Sequence, residues 1–263
     1  MGRRFHKMHG LGNDFVLFDA RTEPVALSAD QVRTIADRRH GVGCDQLIVL
    51  EPSASADVRM RIFNADGGEV EACGNAARCV VLLIGGELRI ETLGGIIHGA
   101  STYEGVTVDL GRPRFAPDEI PVLYPMDTRN MPVGWEGLSE PFAVNVGNPH
   151  LVFFVPDEGA VELGRIGPLI ERDPLFPQGV NVNVATLSAG GLRLRTWERG
   201  AGLTPACGTG ACATAVAAIS RKLLPSPVEV RQTGGAILVH WSPGENVRMT
   251  GPAVHVFTGE LTL

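Results

Sequence analysis

Hydrophobic positions along this chain fall in short runs divided by Gly, Pro, Asp or Ser. The runs at 15–19, 47–50, 58–63, 106–110, 151–155, 180–185, 192–197, 228–231, 237–240 and 254–257 are rich in β-branched or aromatic residues, as strands are. Helical patterns are few. Ser28 to Gln31 spells a capping box that opens a helix to about Arg39. A second helix is predicted over about 74–84 and stopped by Gly85-Gly86. A third runs over about 161–171, and a fourth over about 208–223, stopped by Pro225.

The pattern repeats. Glu71-Ala72-Cys73-Gly74-Asn75-Ala76-Ala77 returns 134 residues later as Pro205-Ala206-Cys207-Gly208-Thr209-Gly210-Ala211, each copy leading into a helical run. The same shift pairs Met60-Arg61 with Leu194-Arg195, Phe63 with Trp197, Asn64 with Glu198 and Gly68 with Gly202. Gly12-Asn13 matches Gly147-Asn148, and Gly41-Val42 matches Gly179-Val180, in the same order in both halves. Collinear matches of this kind indicate an internal duplication. The expected fold class is therefore α+β: two pseudo-symmetric domains, each a mostly antiparallel sheet wrapped around a long central helix whose first turn follows a cysteine. The expected domains are 1–118, joined by the C-terminal strand 254–263, and 119–253. The Pro- and Gly-rich stretch 117–137 is the expected linker.

Composition narrows the class. Hydrophobic content of 44% with 20% charged residues suits a soluble globular protein, and a net charge of −6 gives no reason to expect nucleic acid or an anionic membrane as partner. The basic start, MGRRFHKMHG, is not followed by the apolar run of a secretory leader, and the longest apolar stretch, 79–84, is far too short to span a bilayer. Five cysteines, an odd number, argue against a disulfide framework and for reduced thiols in the cytoplasm.

The two repeated thiols carry the chemistry. A helix N-terminus contributes up to ~2 kcal/mol to a nearby anion, which brings a thiol so placed from about 8.5 to about 7. Two such thiols suit a reaction that needs one proton acceptor and one donor on opposite faces of a carbon. Cys44, Cys79 and Cys212 read instead as buried structural residues. A zinc site is disfavoured. There is no C-x-x-C pair, and six residues along a helix turn the chain by about 600°, setting Cys73 and Cys79 on different faces. A cysteine hydrolase would leave the second motif unexplained. Gly10-x-Gly12 and Gly41-x-Gly43 lack the third glycine of a nucleotide loop.

The segments MHGLGNDF, HGVGCDQ, FNADGGEVEACGNAARC, NVGNPH, GVNVNVA and WERGAGLTPACGTGAC resemble those of the diaminopimelate epimerase family, over about residues 5–260. Proline racemases are similar in fold and in paired cysteines but differ around the thiols. The resemblance implies the diaminopimelate epimerase-like fold and interconversion of LL- and meso-2,6-diaminopimelate for lysine and cell-wall precursor synthesis. It implies no cofactor and no metal, and a homodimer. Scarcity of lysine agrees, since only Lys7 and Lys222 stand against 21 arginines and pyridoxal chemistry needs a Schiff-base lysine. Cys73 and Cys207 would exchange base and acid roles. Gly74, Asn75, Gly208 and Thr209 would turn backbone N–H groups to the reacting carboxylate. Asn13, Gln46, Asn64, Asn148, Asn181, Glu198 and Arg199 would bind substrate, with Asn64, Asn181, Glu198 and Arg199 at the distal centre. His150 and Glu198 would tune the thiols. Cys44, Ala76 and Leu203 depart from residues common in the family without removing any of these groups. The rival readings are a racemase for another amino acid, which Arg199 argues against, and a non-catalytic binding protein, which would be expected to lose a thiol.

Overall fold

The computed structural model describes residues 2–71, 73–103 and 105–262. It divides into two compact units, Met1–Val108 with Gly251–Leu263, and Asp109–Thr250.

In the first unit, β1 (Gly2–Gly10) and β2 (Asn13–Asp19) form an antiparallel hairpin, and α1 (Ala29–Ala36) crosses over to β3 (Gln46–Glu51), parallel to β2. Antiparallel β4 (Val58–Asn64) follows and carries the short β5 (Glu69–Val70). A second crossover, α2 (Gly74–Ile84), returns the chain to β6 (Glu87–Thr92), parallel to β4. Then come β7 (Gly95–Thr102), antiparallel to β6, and β8 (Gly105–Asp109). The C-terminal strand, Val254–Thr262, pairs with β1.

The second unit begins with a small hairpin, β9 (Gly134–Trp135) and β10 (Leu138–Ser139), and then runs through the same plan. Strands β11 (Phe142–Asn145) and β12 (Pro149–Phe154) pair antiparallel, and α3 (Leu163–Glu171) crosses to β13 (Asn181–Ser188), parallel to β12. Antiparallel β14 (Gly191–Glu198) carries β15 (Gly202–Thr204). Helix α4 (Gly208–Ser220) crosses to β16 (Val228–Gln232), parallel to β14, and β17 (Gly235–His240) and β18 (Arg248–Gly251) complete the sheet; the C-terminal strand is β19. Registers repeat along with topology. Phe15 opposes Gln46 as His150 opposes Asn181, Leu47 opposes Phe63 as Val182 opposes Trp197, and Ile90 opposes Ile97 as Val230 opposes Ile237.

Each sheet wraps its second helix. Helix α2 packs on β1, β6, β7 and β19, and α4 on β11 through β14, β16 and β17. These helices are apolar on nearly every face: α4 buries Gly208 and Gly210 through Ala218, as a central helix must. Helix α1 stops at Ala36, before Arg39, because the Asp37 carboxylate accepts the Arg39 and His40 N–H groups and turns the chain. Helix α4 stops at Ser220 because Lys222 takes a left-handed conformation, φ 57°. The stretch 117–137, expected to be a linker, packs into the second unit instead: Ile120 and Met131 are buried in its core with Phe153, Ile166 and Val182. Among the described residues no helix is long and apolar enough to cross a membrane.

Candidate active site

In the first unit a tight turn through Leu11 (φ 56°) and Gly12 (φ 86°) delivers Asn13 to the start of β2. Across the unit, Cys73 is the N-cap of α2, in extended conformation. Its Sγ turns to Asn13 Oδ1 at 3.8 Å, and the same oxygen accepts from Asn75 Nδ2 at 3.1 Å. Asn13 Nδ2 donates to Asp45 Oδ2, which fixes the amide's orientation. Behind Asn75 stands Arg78, fully buried, whose Nη2 donates to Asn75 Oδ1 at 2.7 Å and whose Nε donates to the Pro252 carbonyl. One chain of bonds thus runs from a buried guanidinium through two amides to the thiol. Beside it, Gln46 Nε2 donates to Asn64 Oδ1 across β3 and β4 at 2.9 Å, while Gln46 Oε1 is buried with no hydrogen-bond partner among the described residues.

The second unit places Cys207 at the N-cap of α4, 3% exposed. Its Sγ accepts from the Gly210 N–H at 3.3 Å and lies 3.5 Å from Thr209 Oγ1. Burial, and after it the Glu198 carboxylate, push this thiol well above its ordinary range; Thr209 and the Gly210 N–H pull the other way and are outweighed. The lowering expected from the helix N-terminus is therefore reversed at Cys207, because desolvation of a fully buried anion exceeds what one turn of helix returns. Cys207 holds its proton. Glu198 is itself steadied by Thr204 Oγ1 at 2.6 Å.

His150, wholly buried on β12, accepts at Nδ1 from Asn183 Nδ2 at 3.1 Å, which makes Nε2–H the donor to Asn148 Oδ1 at 2.8 Å. Burial and then the Arg199 guanidinium push it down to about 3. A neutral His150 can act on a thiol only as a dipole. Asn181 spends both ends of its amide on backbone, donating to the Pro149 carbonyl and accepting the Arg199 N–H. Arg199 itself is exposed and donates through Nη1 to the Gln178 carbonyl. The structure thus gathers Asn13, Cys73 and Asn75; Gln46 and Asn64; Asn148 and His150; Asn181 and Arg199; and Glu198, Cys207 and Thr209. Gly74 and Gly208 open the two helices.

Sequence reasoning passed over four supports. Arg78 braces Asn75 from within a helix that reads as apolar. Asn183, fully buried, ties His150, the Leu151 carbonyl and Thr196 together. Glu171 accepts from Trp197 Nε1 and the Gly200 N–H, holding the turn that follows Glu198-Arg199. Gln232 accepts the Cys207 N–H. A polar residue inside an apolar run was the available signal for Arg78 and Asn183. Cys44 and Cys79 are buried, and burial pushes them up to about 11 and about 12, as inert thiols should be.

Comparison with known proteins concerns the chain as a whole. The sequence profile described as diaminopimelate epimerase matches residues 5–116 and 142–256. The diaminopimelate epimerase of Rhizorhabdus wittichii is 64% identical over 262 residues, covering 99% of this chain and 96% of that one. That of Sphingopyxis alaskensis is 61% identical over 261 residues, covering 99% and 97%. Among solved structures, a PhzF-family phenazine biosynthesis protein of Bacillus anthracis has a TM-score of 0.72 at 16% identity, covering all of both chains. A hydroxyproline epimerase of Agrobacterium vitis has a TM-score of 0.70 at 16% identity, covering 99% of this chain and 92% of that one. At such identities the structural likeness speaks for the fold alone.

Proposed function

The chain belongs to the diaminopimelate epimerase family, and on that premise we propose that it interconverts LL- and meso-2,6-diaminopimelate by a two-base reaction in which Cys73 and Cys207 are the catalytic residues. One thiolate removes the proton from the α-carbon. The carbanion's charge spreads into the adjacent carboxylate, and the other thiol delivers its proton to the opposite face. The cysteines finish with protonation states exchanged, and the reverse reaction or solvent resets them.

The observation that carries this reading is the repeated placement of a cysteine at the N-cap of the second crossover helix in two units of the same topology. Helix N-termini suit the developing carboxylate charge, through the N–H groups of Gly74, Asn75, Gly208 and Thr209. Because Cys207 holds its proton, it supports the acid role from the resting state, with Cys73 the base; in the other direction the roles exchange. Gln46 brings an unspent acceptor, and Asn13, Asn64 and Asn148 bring amides to the substrate. Glu198 and Arg199 supply the carboxylate and guanidinium that a distal ammonium and carboxylate require, with Asn181 fixing the backbone of Arg199. Cofactor independence is supported by the lysines, since Lys7 is tied by Asp14 and the Gly43 carbonyl, and Lys222 sits past the end of α4. The setting is lysine and cell-wall precursor synthesis in the cytoplasm, by a homodimer.

The test is proton NMR of the reduced protein with LL-diaminopimelate in D₂O. Deuterium entering one α-position as the meso isomer accumulates is the expected result. Exchange with proline or another amino acid instead would keep the chemistry and discard the substrate, and no exchange with any amino acid would overturn the reading. Where chemistry limits the rate, the pH profile is bell-shaped, with two apparent values that belong to the pair.

A further inference from the structure

Helix α4 opens with half of a capping box. The Cys207 side chain accepts the N–H of Gly210, the third residue of the helix, at 3.3 Å. In a complete box the third residue's side chain would reach back to the N–H of the capping residue. Gly210 has none, and none would fit: a Cβ there would lie 2.6 Å from Asn183 Oδ1 and 3.0 Å from Thr196 Oγ1. The missing half comes from the end of β16. Gln232 Oε1 accepts the Cys207 N–H at 2.7 Å, 25 residues away in sequence. A second bond from the same turn grips the same segment, the Gly234 N–H donating to the Pro205 carbonyl at 2.7 Å. The β16–β17 turn therefore holds Pro205–Cys207 at two points.

The amide's orientation is forced. A backbone N–H needs an acceptor, so oxygen faces Cys207, and Gln232 Nε2 is left buried without a partner among the described residues. A glutamate would accept the same N–H with no orphaned donor, but it would set a second carboxylate, beside that of Glu198, against the thiol. The unspent N–H₂ is the cost of an acceptor that carries no charge.

We infer that Gln232 is a positioning residue for Cys207, completing the helix cap from outside the helix without adding a second carboxylate beside the thiol; this rests on the two-thiol reading above. Gln232→Met removes the acceptor, and Gln232→Glu keeps it and adds charge. The experiment compares both variants with the wild type in three measurements: hydrogen exchange of the Cys207 amide, iodoacetamide labelling of Cys207 across pH 7–10 read by peptide mass spectrometry, and epimerisation. In Gln232→Met the amide exchanges about tenfold faster and kcat falls about tenfold with little change in KM, since one buried N–H loses its partner. In Gln232→Glu the amide stays protected while labelling shifts to higher pH. Wild-type exchange, labelling and kcat in both variants would overturn the inference. Should Gln232→Met fail to fold, the labelling shift in Gln232→Glu decides. A wild-type protein without epimerase activity would refute the two-thiol reading, while exchange and labelling would still judge the cap.

Discussion

Gly210→Ala is the substitution in which opposing effects can be weighed most closely. Alanine in place of glycine within a helix ordinarily stabilises by ~1 kcal/mol. Here the new Cβ would meet Asn183 Oδ1 at 2.6 Å, well inside contact distance. Asn183 cannot swing away, because it is fully buried and bonded to His150, the Leu151 carbonyl and Thr196. Overpacking a tight core costs ~1–3 kcal/mol, and each buried bond broken to relieve it ~1–3 kcal/mol more. The clash wins, and with one bond broken these terms leave a net loss of about 1–5 kcal/mol in urea unfolding. The Gly210 N–H also holds Cys207 Sγ, so epimerisation falls as well. Adding Asn183→Ala removes the obstructing oxygen, and a double-mutant cycle therefore shows positive coupling, the pair costing less than the two singles together. A Gly210→Ala protein as stable as the wild type would refute the packing argument, and additive losses would clear Asn183 as its source.

Cys73→Ala and Cys207→Ala each reduce epimerisation in D₂O by at least about a thousandfold; full turnover by either would end the two-base scheme. Glu198→Gln removes a carboxylate that keeps the Cys207 thiol protonated, so iodoacetamide labels Cys207 faster at neutral pH, and unchanged labelling would deny Glu198 that role. His150 is pushed down to about 3, below its unfolded value near 6.5, so its contribution is present above that unfolded value and is lost as pH falls toward 3. Asp14, held down to about 2 by Arg38 and Lys7 against the cost of burial, loses its contribution as pH falls from about 4 toward 2. Because its partner Arg38 lies exposed to solvent, that contribution is discounted for screening to ~1 kcal/mol. Asp14→Asn therefore lowers stability at pH 7 and flattens its decline below about pH 4, and an unchanged acid limb would count against this.

Elements whose residues alternate or cluster plainly were legible in the sequence: the four helices fall within a few residues of expectation. The missed strands have physical reasons. β1 reads as a basic run, Arg3, Arg4, His6 and Lys7, yet it is paired on both sides by β2 and β19, burying Phe5 and Met8 and turning its charges elsewhere. In β6 polar residues flank a single fully buried isoleucine, Ile90, and β11 is only four residues long. At the site, the cysteines announced themselves because a repeated motif is a local signal. The charge state of Cys207 did not, because it depends on burial and on a carboxylate nine residues away. Gln232 was illegible for the same reason, since nothing near it in the sequence marks it as the partner of Cys207.

The recurrence of one strand register in both units has a consequence for how such a protein can change. Equivalent positions hold different residues, Phe15 against His150 and Asn64 against Glu198. Two identical chains related by a symmetry axis could never differ in this way, because every substitution would appear on both sides at once. Once the halves share a single polypeptide, each reactive group can acquire its own neighbours one mutation at a time, and a symmetric ancestor can become able to tell its two sides apart without altering the scaffold that bears them.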